Sequence, residues 1–189
     1  MLRDLILRNR SYRRFHQEVD INLETLKELV DLGRLSASAK NLQPLKYILS
    51  CNRQKNALIF PHLVWARFLT NWRGPADGER PSAYTIILGD TEVSRFWDYD
   101  AGIAAQSILL GATEKGLGGC MIANVNREGL RRALEIPPRY EILLVLALGR
   151  PREKVVVEMV GPDGDTKYWR DSDGVHHVPK RPLDEVIIG

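Results

Sequence analysis

Only two cysteines, Cys51 and Cys120, occur in 189 residues, and they lie far apart without a Cys-x-x-Cys pair. Two reduced thiols are expected, with no disulfide framework and no thiolate metal site. Long hydrophobic runs are also missing: the longest, Ile142 to Leu148, falls far short of the roughly 18 residues that span a bilayer, so no membrane partner is expected. The opening "MLRDLILRNR" interleaves charges with Leu and Ile and lacks the apolar core of an export signal, which makes a cytoplasmic location the expectation. Charge of one sign is scarce, since 27 Lys and Arg face 24 Asp and Glu for a net charge of +3. That balance excludes a chain-wide polyanion binder, and any basic function must be local. Neither internal repeats nor low-complexity tracts are present.

Two familiar fingerprints fail on spacing. "KGLGGC" has too few properly spaced glycines for a dinucleotide site and follows a helix pattern where that motif follows a strand. "DSDG" with His176 and His177 lacks the remaining ligands of a calcium loop and the spacing of a zinc site, while His16 and His62 are isolated, so no metal is expected.

What is there suffices for a core: 44% of the residues are hydrophobic, which suits one domain over 1–189 with a C-terminal extension at about 161–189. Leu2, Leu5 and Ile6 fall at helical spacing, and "INLETLKELVDLGRLS" repeats the pattern behind Asn22 as N-cap. "LKYILSC" and "YTIILGD" have strand length and composition, whereas "HLVWARFLTNW" carries helical periodicity with weak caps. "DYDAGIAAQSILLGATEKG" reads as a long helix, apolar on most faces and stopped by Gly116 and Gly118, the buried centre of the fold. "REGLRRALEI" makes a shorter helix, and "YEILLVLALG" a strand buried on both faces. "VVVEMV", "TKYW" and "VHHVPKRPLDEVIIG" follow, divided by turns. This order predicts an α+β domain with a sheet packed among helices. A buried long helix and an apolar tail in so short a chain point to a second subunit, hence a homodimer.

Chemistry concentrates near the start. In "NRSYRRF", Arg10 and Arg13 are three apart with Ser11 between them, and guanidinium forks with a hydroxyl suit a phosphate. Alone, the segment equally fits a solvated basic turn or a nonspecific nucleic-acid patch. Asp4, Glu18 and Asp20 flank it, which favours one small phosphate over nucleic acid. In "SASAKNLQP", small residues permit close backbone approach while Asn41 and Gln43 offer amide donors and acceptors. The loop "WRGPADGERPSAY" reads as a stiffened surface loop, with a lid as the alternative, and Trp65 or Trp72 is a candidate wall of a substrate cleft.

These motifs occur together and in order, and in that combination the chain resembles the nitroreductase family of FMN-dependent oxidoreductases. "RSYRRF" and "SASAKNLQP" are similar to its two N-terminal motifs, "DAGIAAQSILLGATEKGLGGCMIANV" to its central helix and Gly-rich exit, and "VPKRPLDEV" to its basic C-terminal segment. The resemblance implies a central, mostly antiparallel sheet surrounded by helices, in an intertwined homodimer whose C-terminal tail is exchanged onto the partner. It implies that Arg10, Ser11 and Arg13 hold the phosphate and ribityl chain, with Lys180 or Arg181 reaching the same phosphate. Ser38, Asn41 and Gln43 would act from the partner subunit, and the backbone of Ala123 and Asn124 would lie beside the reactive ring edge. No catalytic side chain is implied, because a flavin carries the chemistry itself. The implied activity is ping-pong transfer from NADH or NADPH through FMN to a nitroaromatic, quinone or similar small acceptor. The same residues also fit another flavin reaction, such as dehalogenation, dehydrogenation or flavin fragmentation, or a non-catalytic flavin-binding module.

Overall fold

The computed structural model describes residues 1–189. Helix α1 (Leu2–Arg8) is followed by α2 (Leu23–Leu35), where the Asn22 side chain accepts the Thr25 N–H as the sequence predicts. Strand β1 (Leu45–Ser50), helix α3 (Arg53–Ile59), strand β2 (Ala83–Asp90) and helix α4 (Asp98–Glu114) come next. Strand β3 (Gly118–Ile122), helix α5 (Arg127–Ala133) and strand β4 (Tyr140–Gly149) complete the main unit. The four strands form one antiparallel sheet in the order β1-β2-β4-β3. Because β2 and β4 are central, both faces are covered and all eight residues of β2 are buried.

Two apolar layers flank the sheet. On one side Leu26 and Leu29 of α2 and Ala105, Ile108 and Ala112 of α4 pack against Ile87, Leu146 and Leu148. On the other, Ile59, Trp65, Ile122 and Leu130 pack against Tyr84, Ile86 and Val145. The α+β class and the antiparallel central sheet thus stand as predicted, with helices on both faces.

Three local readings need correction. "HLVWARFLTNW" forms no α-helix; the helix lies upstream at α3, capped by Asn52, whose side chain accepts from the N–H groups of Gln54 and Lys55. The periodic Leu63 and Trp65 are instead carried into the core by irregular backbone, with Leu63 bridged to Val125. Gly118, read as part of the helix stop, instead opens edge strand β3, since α4 already ends at Glu114. Helix α4 is not fully buried in the single chain: α2 and the sheet cover part of it, leaving Tyr99 84% and Ile103 42% exposed.

The chain beyond 150 builds a second sheet. Strand β5 (Val155–Met159) pairs in parallel with β7 (His176–Lys180), and β6 (Trp169–Arg170) pairs antiparallel with β7, before the short α6 (Leu183–Val186). The tail as far as Lys180 therefore pairs within its own chain.

Candidate cofactor and substrate cleft

The arginine segment is extended and threaded between three elements. Ser11 bridges Gly119 on the open edge of β3, and the Tyr12 N–H donates to the Gly119 carbonyl at 3.0 Å. Glycine is required there, because a Cβ on Gly119 would collide with the Ala147 carbonyl oxygen. Phe15 is fully buried, its N–H donating to the Glu79 carbonyl, while the His16 N–H donates to Arg150 and the Arg152 N–H to Arg14. One buried carboxylate organises the turn: Glu153 accepts the N–H groups of Arg13 and Arg14 and pairs with Arg170 at 2.8 Å.

These constraints divide the arginines by role. Arg14 makes a two-pronged contact with Glu79 and is a structural tie, holding the Glu79 carboxyl below the usual carboxylate range. Glu79 also clasps the loop that the sequence left open as a lid, and Gln17 accepts the Gly78 and Arg80 N–H groups, so the loop is pinned to the N-terminal segment. Arg10 and Arg13 turn inward. With Ser11, Lys180, Gln106 and His176 they line a cavity of about 260 Å³ that no carboxylate lines.

Hydrogen bonding inside that cavity is incomplete. Arg13 Nη1 donates to the Ser11 carbonyl and to His176 Nε2, each at 3.2 Å. His176 Nε2 is therefore an acceptor and the ring is neutral, with its proton on Nδ1. Burial first, then Arg13, Arg170 and His177, push the His176 pKa down to about 4. Nδ1 of His176 and Nε of Arg10 are buried without partners. Donors aimed into a basic, carboxylate-free cavity call for an acceptor-rich anion.

A second compartment of about 480 Å³ shares Arg13, Met121 and Tyr168 with the first. Trp65, Arg67, Ala123 and Asn124 complete its wall. The Asn124 carbonyl accepts the Val64 N–H and the Ala123 carbonyl accepts from Arg127, which fixes the strand exit beside the compartment. Tyr168 is the joint: its ring lies 4.8 Å from the Arg13 guanidinium and edge-on to Phe68 at 5.1 Å. The buried Cys120 thiol is pushed up to about 12 by burial, so it is an unreactive wall residue.

Of the residues singled out in the sequence, Arg10, Ser11, Arg13, Lys180, Ala123 and Asn124 come together in this bipartite cleft. Arg181 does not; it pairs with Glu185 one turn along α6. Ser38 and Gln43 line another cavity, beside Tyr47 and Asp100, and Asn41 is exposed. The Ser38 hydroxyl donates to the buried Asp100 at 2.6 Å and accepts the Gln43 N–H at 2.9 Å. Trp65 lines the cleft, whereas Trp72 lies under Arg170. Tyr168, His176, Gln106 and Arg67 escaped sequence reading; only the "TKYW" and "VHHV" runs flank two of them, and neither has a distinctive pattern.

The nitroreductase family model matches residues 6–150. The chain belongs to the nitroreductase family. An Archaeoglobus fulgidus relative with the provisional name NADH dehydrogenase/NAD(P)H nitroreductase is 25% identical over 149 residues, covering 75% of this chain and 80% of that protein. A Parabacteroides distasonis structure with the same provisional name is 26% identical, covers 80% of this chain and 87% of its own, and superposes with a TM-score of 0.65. The FMN-dependent nitroreductase of Clostridium difficile R20291, 24% identical, shares the fold over 88% of this chain and 91% of its own at a TM-score of 0.63. In this nitroreductase, Tyr168, His176 and Lys180 lie beyond the matched residues, so the family model covers the cleft's arginines but not its C-terminal wall.

Proposed function

We propose that this nitroreductase-family chain is an FMN-dependent NAD(P)H oxidoreductase that passes reducing equivalents to a nitroaromatic, a quinone or a similar small acceptor. The observation that carries the reading is the basic, carboxylate-free cavity beside an aromatic-walled compartment. The residues fit the cofactor, because Arg10 Nε and His176 Nδ1 are buried donors lacking acceptors, and a phosphate supplies acceptors. Arg10, Ser11, Arg13 and Lys180 would hold the phosphate end. Trp65, Tyr168 and the backbone of Ala123 and Asn124 would bound the reacting end and exclude water. When bound, the flavin supplies acceptance and return of hydride. Reductant and acceptor would meet the same face of the ring in turn within this compartment, giving ping-pong turnover.

The reading includes a homodimer with the site completed across it. Leu2, Ile6 and Leu7 of α1 and Tyr99 and Ile103 of α4 are apolar or aromatic and exposed in the single chain, a surface suited to a second copy. Across such an interface, Asn41 and the Ser38–Gln43 backbone would reach the partner's cleft. Absorption spectra of the purified protein with FMN, followed by anaerobic NADH and NADPH, test the proposal. A bound flavin band bleached by either nucleotide is expected. A bound flavin that neither reduces would refute the oxidoreductase assignment, and no flavin binding would refute the cofactor.

A further inference from the structure

A cavity of about 220 Å³ opens between α3, the segment leading into β2 and the loop before α2, and it shares no residue with the cleft described above. Four charged side chains line it, Asp20, Arg53, Asp77 and Arg80, two of each sign. None of the four forms an ion pair within 4.0 Å, and the Arg80 guanidinium lies instead over the Phe60 ring at 4.4 Å. Opposite charges around so small a space ordinarily close on one another. Here the wall holds them apart.

The burial pattern gives the cavity a direction. Pro81, Ser82 and Tyr84 are buried, whereas Asp20, Arg53 and Asp77 are exposed at the mouth. Arg80 Nε and the Ser82 hydroxyl are buried with no hydrogen-bond partner, and such orphans are rare enough to need an occupant. A simple anion would engage only the guanidinium groups, and a simple cation only the carboxylates. A solute carrying both signs satisfies both, and Ala57, Phe60 and Pro81 offer an apolar wall for its remaining atoms.

We propose that this cavity binds a free α-amino acid, its carboxylate held by Arg53 and Arg80 and its ammonium by Asp20 and Asp77. The site is independent of the flavin reading. Isothermal titration of the full chain with the proteinogenic L-amino acids, pooled and then singly, tests it, with the N-acetyl and amide derivatives of any binder as controls. Each derivative removes one charge and should bind at least about tenfold more weakly. Arg53→Gln and Asp77→Asn, exposed positions that leave the packing intact, should each cause a similar loss. No heat with any amino acid would mean that the cavity holds only water and would overturn the proposal. Equal affinity for the charge-cancelled derivatives, or unchanged affinity in both variants, would overturn it too. Because the titration requires no flavin reduction, its outcome and that of the spectral test are read separately.

Discussion

Glu153 accepts two backbone N–H groups and an Arg170 guanidinium with its side chain only 1% exposed, so Arg13 is aimed by a carboxylate that never touches the cleft. Removing one partner of a buried pair strands the other, and Glu153→Ala is expected to cost about 3–5 kcal/mol in urea unfolding. Arg13→Ala should cost about 1–3 kcal/mol of stability, because buried His176 Nε2 loses its donor, and should weaken flavin retention by at least about 1.5 kcal/mol, read by fluorescence titration. That Arg10 and Arg13 line one cavity agrees with their spacing, whereas their reading as phosphate holders needed the family resemblance as well. The role of Arg14 was not legible, since its partner Glu79 lies in a loop whose approach is set by tertiary packing. Lys180 was separable from Arg181 only in three dimensions, where strand pairing ends and α6 turns the next side chain away.

Among the elements, the C-terminal sheet carries the strongest pH signal. His177 of β7 places Nδ1 2.9 Å from Glu158 of β5 and Nε2 3.1 Å from Asp171, and its ring stacks on Trp169 of β6 at 4.0 Å. The hydrogen bonds to Glu158 and Asp171 raise its pKa above the ordinary value of about 6.5. Its contribution is therefore complete below that value and is lost as pH rises through the folded one. The lowered pKa values of Glu158 and Asp171 act oppositely, their contribution vanishing as pH falls through the folded values. The stability difference between the parent and His177→Gln should be largest in mild acid and shrink as pH rises through the raised pKa of His177, as followed by thermal melts. The strands β1, β2 and β4 and the helices α2, α4 and α5 were readable from period and caps. Residues 63–72 were not: Leu63, Trp65 and Ala66 are buried, but Ala66 takes φ +34°, which breaks the helix their spacing suggested.

For the whole molecule, the exposed face of α4 is where the proposed second copy would dock. The helix's apolarity on most sides was visible in the sequence, and the single chain, through α2 and the sheet, still leaves Tyr99 and Ile103 exposed. Ile103→Glu is expected to give a monomer by light scattering, with weakened flavin retention, because the Asn41 loop would no longer meet a second cleft. We propose that 1–189 forms one domain, with its C-terminal extension bound to the main unit through Glu153 and Tyr168.

Arg10 and Lys180 line one cavity from nearly opposite ends of the sequence. A chain emerging from the ribosome exposes its arginine hook long before the lysine that closes it, and the strand bearing His176 and Lys180 must still pair with β5. On the proposed reading, cofactor capture would wait until β7 has been made. A chain terminated before β7 would lack the closing half of the cavity, so on the proposed reading cofactor loading would mark chains in which β7 is present and paired with β5.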